Sequence, residues 1–195
     1  MSPRNPEPTR AAVLAAADAL LESGGPSAVT LRAVGDEAGV SRSAPYRHFA
    51  GKAELLAAVA LSTLTDLGAG IRAAAAGGER ATALRRGCEG YLRYAFARPQ
   101  HYLLVFGSAP MPDPDPAIEA AADDGLLALR ELVEQAQSDG RLPGAPAREF
   151  ATVLWVFLHG LCQLQLTGHL HEPRTIDGDT RLLELLDLAL AAWSR

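Results

Sequence analysis

Cysteine is nearly missing from this sequence. Cys88 and Cys162 are too few and too far apart for a disulfide framework or a zinc finger, so they read as small core hydrophobes. No uninterrupted run of 18 apolar residues occurs, and the opening M-S-P-R-N-P-E-P-T-R lacks the apolar centre of a signal peptide. The expectation is a cytoplasmic chain that does not engage a membrane. Strand-like alternation of apolar and polar residues is missing as well, which leaves an all-α fold. There is no Glu-x-x-His pair of a helical metal site and no nucleophile elbow, so neither enzyme activity, metal nor cofactor is expected. The loop pair in His169-Leu170-His171-Glu172 offers too few ligands for a metal and reads as a solvated turn.

Lysine occurs once among eighteen basic residues, at Lys52. The whole chain carries a net charge of −5, which by itself argues against a nucleic-acid partner. Its distribution reverses that reading. Residues 1–52 hold six basic and five acidic side chains, net plus one, which leaves minus six for the remainder. An acidic body repels DNA except where the basic end faces it, so one docking orientation is favoured.

That basic end holds the stretch around which the chain is organised, T-L-R-A-V-G-D-E-A-G-V-S-R-S-A-P-Y-R-H-F-A-G-K from Thr30 to Lys52. Thr30 is a good N-cap for a helix with Leu31, Val34 and Ala38 on one face, and Gly39 suits the left-handed stop after it. Val40 pins the turn to the core. Ser41 or Ser43 caps a second short helix whose Pro45 and Phe49 face inward; a Ser41 cap makes Pro45 cost a first-turn hydrogen bond, and a Ser43 cap leaves it harmless. The outward groups are Arg42, Ser43, Tyr46 and Arg47. A helix-turn-helix presenting basic, hydroxyl and aromatic groups suits the major groove of DNA. Arg42 is placed to take a guanine edge, and Ser43 and Ala44 are small enough for close approach, with Ala44 against a thymine methyl. Thr30, Tyr46, His48 and Lys52 suit phosphates, Lys52 beside the anion-attracting N-terminus of the next helix. His48 alternatively stacks beside Phe49.

The run G-V-S-x-x-x-x-Y-x-H-F-x-x-K, from Gly39 to Lys52, resembles the signature of the TetR family of transcriptional regulators. The wider likeness covers about the first quarter of the chain. The later Trp155-x-x-x-His159-Gly160 is similar to a motif in one of the family's C-terminal domain types. The resemblance implies that Arg32, Arg42, Ser43, Ala44, Tyr46, His48 and Lys52 meet DNA. It also implies a two-fold dimer in which the last two helices of each subunit make a four-helix bundle.

Elsewhere the chain reads as further helices. An amphipathic helix over residues 9–23 ends at Gly24-Gly25-Pro26 and supports the headpiece, after a loose polar tail from which Arg4 and Arg10 are placed to reach a duplex. A long helix over 52–76 is the connecting rod. Helical patterns follow over 82–97, 101–106, 117–138, 149–167 and 180–193, with a proline loop at 107–116, a Pro/Gly linker at 140–147 and a polar loop at 168–179. The total is about nine helices. They divide into a three-helix helix-turn-helix domain, residues 1–50, and a larger helical ligand-binding and dimerisation domain, residues 51–195.

The last helix is apolar nearly all the way round, with Leu182, Leu183, Leu185, Leu186, Leu188, Leu190 and Trp193. Such a helix is covered on two sides, either by a second copy of the chain or as the centre of a monomer. The copy is the reading adopted, because two headpieces held about 34–36 Å apart, or a multiple of a helical turn, match successive grooves. The body also carries aromatics and scattered polar groups suited to a ligand pocket, Tyr91, Tyr94, Phe96, His101, Tyr102, Phe106, Trp155, His159, Cys162 and Gln163, of which all but Phe96 and His101 are taken as the pocket itself. The functional expectation is a homodimeric repressor that occupies a palindromic double-stranded operator. A small apolar or amphipathic effector releases it. The alternatives are a helical enzyme or small-molecule carrier with a vestigial headpiece, and a DNA-binding dimer that takes no effector.

Overall fold

A computed structural model describes residues 6–107, 115–170 and 178–194. Arg4, most of the proline loop (108–114) and His171 with Glu172 lie outside the described residues. Eight α-helices occur among those described: α1 (Pro6–Ala28), α2 (Leu31–Glu37), α3 (Lys52–Ala76), α4 (Ala83–Ala97), α5 (Pro99–Phe106), α6 (Pro116–Ser138), α7 (Ala147–Leu166) and α8 (Gly178–Trp193). Two short 3₁₀ segments, Pro45–Arg47 and Arg80–Thr82, complete the set, and no strand is present among the described residues. The segment expected as a ninth helix, after Ser41, is the first of these 3₁₀ turns. The first helix also runs past its expected end: it kinks at Gly25, with Pro26 inside, and continues to Ala28.

The chain divides into two compact units. The first comprises residues 1–64 and 98–119, the second residues 65–97 and 120–195. The core of the first unit gathers Val13, Ala17 and Leu21 of α1, Val29, Leu31 and Val34 around α2, Phe49, and Leu55 and Val59 of α3, with Leu104 of α5 against it. Burying side chains of this size is worth about 1.5–3 kcal/mol each. In the second unit α4 packs against α7 and α8. Phe150 and Phe157 of α7 meet Trp193 of α8 edge to face at 5.8 and 5.6 Å. Charged pairs tie helices within this unit: Arg72 of α3 forks onto Asp124 of α6 at 2.7 Å, and Arg85 of α4 reaches Asp187 of α8 at 2.6 Å. The Arg72 bond holds the Asp124 carboxyl below its usual range.

By length and composition alone α3 and α7 are each apolar enough to cross a membrane. In α3 the apolar positions Leu55, Val59, Leu64, Leu67 and Ile71 are buried inside the protein. On α7 part of the apolar surface stays open.

Candidate nucleic-acid interface and body cavity

Thr30 begins the site. It caps α2, its Oγ1 accepting the Ala33 N–H at 3.1 Å. The stop after α2 is a Schellman turn: Val40 N–H donates to Gly35 O at 3.1 Å and Gly39 N–H to Asp36 O at 3.3 Å. Gly39 sits at φ +64°, where a side chain would be strained. Val40 then packs on the headpiece core, as its apolar character predicts.

Residues 41–49 bond mainly three apart. Ala44 N–H donates to Ser41 O at 2.8 Å, Arg47 N–H to Ala44 O at 3.1 Å, and His48 N–H to Pro45 O at 3.0 Å. Pro45 is the cause. It has no N–H to give to Ser41 and its ring crowds the carbonyl four residues back, so the turn tightens. The ring packs 3.3 Å from the point where a Cβ on Gly35 would stand, so a side chain at 35 would push the turn off α2.

The side chains of this segment divide between solvent and the headpiece. Arg42, Ser43, Tyr46 and Arg47 are exposed, Tyr46 at 60%. Ala44, expected to meet a thymine methyl, is instead only 2% exposed and forms the floor with Pro45 and Phe49. That is a correction to the sequence reading: Ala44 immediately precedes the 3₁₀ turn and is buried with Pro45 against the headpiece. His48 is half-buried. Among the described residues no ion pair holds Arg42, Arg47 or Lys52, whereas Arg32 lies 3.9 Å from Asp36 one turn on.

Lys52 opens α3, and Glu54 in the same turn accepts the Ala50 N–H at 2.6 Å, fixing the approach. A cation at a helix N-terminus opposes the helix dipole, so an anion placed there gains from both. Arg10, which the sequence leaves near a loose tail within reach of a duplex, has its guanidinium over the Phe49 ring, 5.2 Å from the centroid, bracing the floor of the strip. The ring pairing joins residues far apart in sequence, so no local pattern announces it.

The eight residues expected to line a ligand site fall in both units. Tyr102 and Phe106 belong to the first, their rings 4.8 Å apart, and Tyr102 is fully buried. The other six belong to the second. There Tyr91 and Cys162 are buried, Tyr94 and Gln163 half-buried, and Trp155 lies 5.5 Å from His159 on one face of α7. Burial lowers the His159 imidazole below its usual range. Among the described residues the Gln163 Oε1 is buried without a hydrogen-bond partner. Burial pushes the Cys88 thiol up to about 12, which keeps it an unreactive packing group.

A cavity of ≈ 340 Å³ opens between α4 and α8, lined by Leu92, Arg93, Phe96, Ala97, Leu182 and Leu183. Its size suits a small organic molecule. Phe96 of the expected aromatic and polar mix lines it, and none of the eight residues taken as the pocket does. Sequence reasoning does not place the cavity because the pairing of α4 with α8 is a tertiary contact that no periodicity encodes.

The second unit also exposes large apolar side chains. Val153, Val156 and Leu164 of α7 are about half exposed, at 55%, 56% and 45%, and Gly160, at the matching helical spacing, has open space above it. Leu188 of α8 is 64% exposed.

Comparisons with known proteins agree with this geometry. The family model described as "Bacterial regulatory proteins, tetR family" matches residues 13–59, and that described as "Tetracyclin repressor-like, C-terminal domain" matches residues 84–192. No curated protein matches. Among solved structures, a protein of unknown function from Rhodococcus sp. RHA1 is 25% identical with a TM-score of 0.83, the match covering 96% of each chain. The regulator PfmR from Thermus thermophilus shares the fold at 20% identity and a TM-score of 0.67, covering 94% of this chain and 97% of that one. SmeT, the repressor of the multidrug efflux pump SmeDEF of Stenotrophomonas maltophilia, was solved as a complex with triclosan; it aligns at 23% identity and a TM-score of 0.65, covering 96% and 92%.

Proposed function

The chain belongs to the tetR family of bacterial regulatory proteins, and from that premise we propose that it is a homodimeric repressor of a palindromic operator that a small effector releases. The observation that carries the reading is the strip of Arg42, Ser43, Tyr46, Arg47 and Lys52, exposed over a floor of Ala44, Pro45 and Phe49. Exposed cations beside an exposed aromatic are what a phosphate backbone and a groove edge require. Arg42 takes a base edge. Thr30, Arg32, Tyr46, His48 and Lys52 hold the backbone, and Ser43 allows the close approach.

DNA contact is assigned to residues 1–50, and pairing and effector binding to 51–195. Pairing uses the open apolar stripe Val153, Val156, Gly160 and Leu164 with Leu188, which a second copy covers by two-fold symmetry. The effector is a small apolar or amphipathic molecule, and the SmeT complex with triclosan supports that class. It is taken up in the body, against the Trp155–His159 strip or in the cavity between α4 and α8. Working on operator DNA, the protein acts in the cytoplasm by binding and not by turnover.

The test is a gel shift against the duplex flanking the protein's own coding region, with light scattering on the same sample. A dimer that retains that duplex against a large excess of random DNA supports the reading. A monomer, or equal retention of both DNAs, overturns it.

A further inference from the structure

The first unit contains a charge cluster that DNA contact does not use. His101 of α5 is 1% exposed, a polar side chain set against the hydrophobic core. Its Nε2 stands 2.8 Å from Asp18 Oδ1 of α1, and its Nδ1 is 3.0 Å from Glu22 Oε2, close in distance but not aligned as a hydrogen bond. Arg98 Nη2 donates to Asp18 Oδ2 at 2.6 Å and lies 2.9 Å from the imidazole, and its Nε is 4.0 Å from Glu22. Asp18 and Glu22 are four residues apart on one helix face, where like charges repel unless something answers them. Arg98 supplies the charge that answers them, His101 lies within hydrogen-bond distance of Asp18, and together they hold α1 to α5.

Position in the chain gives this cluster a second meaning. Arg98 caps α5, and the two residues before it, Phe96 and Ala97, line the α4/α8 cavity. A displacement of that wall reaches the Arg98 backbone across a single peptide bond. A charge-assisted bond as short as the 2.6 Å one from Arg98 to Asp18 tolerates little of it.

We propose that Arg98 and His101 are positioning residues that make the grip on α1 depend on whether the α4/α8 cavity is filled. The proposal rests on the effector reading above and adds a route to it: the signal enters α1, and with it the headpiece, through α5.

The cavity is filled by a side chain, which removes the need for a known effector. The readout is the affinity of full-length protein for a duplex selected from a random library by the wild type, measured by fluorescence anisotropy. Leu183→Trp is expected to weaken binding about 5-fold or more in the wild-type background, a size ordinary for coupled sites, and less than about 2-fold on an Arg98→Gln background. Arg98→Lys keeps the charge and is expected to restore part of the difference. Phe96→Trp fills the cavity from the facing wall and serves if the first variant does not fold. Equal weakening in both backgrounds overturns the latch and leaves the effector reading standing. Indifference of the wild type to both fillings overturns the regulatory role of this cavity, and the proposal with it, while DNA binding stands.

Discussion

The two compact units leave different things uncovered. The first hides Phe49, Val34 and Leu21 and shows solvent Arg42, Arg47 and Lys52 with one exposed tyrosine. The second answers most of its described arginines with carboxylates, as in Arg72–Asp124, Arg80–Asp139 and Arg85–Asp187, and shows solvent valine and leucine. Unanswered charge costs little in water and gains on meeting a polyanion. Open apolar surface gains when another apolar surface covers it. Each unit is thereby suited to a different partner by what it fails to bury.

The largest effect expected from breaking this contrast is at the apolar stripe. Val156→Glu, or Leu188→Glu, puts a charge on the surface proposed to take the second copy. Light scattering should then report monomer, and operator affinity should fall about 1,000-fold or more, toward the non-specific level. A charged variant that stays dimeric would place the pairing surface elsewhere. Next comes the floor of the basic strip: Phe49→Ala removes a ring buried to 2% exposure and the partner of Arg10, and is expected to cost about 3–5 kcal/mol in urea denaturation.

Smaller changes sharpen the division of labour within the strip. Arg42→Ala should cost about 1–3 kcal/mol on the preferred duplex and relax base preference, whereas Lys52→Ala should weaken all duplexes alike and lower the salt slope by about 1. Identical losses on operator and random DNA for both variants would remove the distinction. The smallest effect concerns pH and the body. Burial keeps the folded His159 imidazole below its usual range, so acidification protonates the unfolded chain first and stability falls as pH drops. His159→Gln should flatten the decline in melting temperature between about pH 7.5 and about pH 5.5.

The headpiece is legible because its instructions are local. The Gly39 stop and the Thr30 cap each depend on neighbours within five residues, and each stands where the sequence places it. Ala44 defeats the reading because the segment after Ser41 is a turn leading into a short 3₁₀ stretch and not a regular helix, so helical spacing does not tell which side chains it buries. The body is legible only as helices. Which helix lies against which decides the α4/α8 cavity, and the burial of His101 beside Asp18 and Glu22, some eighty residues away, depends on a pairing that neither helix announces.

The tightened turn at Pro45 also sets a length. A 3₁₀ path rises about 2.0 Å per residue against about 1.5 Å in an α-helix, so the three residues Pro45–Arg47 extend about 6 Å where an α-helix would give about 4.5 Å. The proline therefore carries the stems of Tyr46 and Arg47 further along the segment without adding a residue.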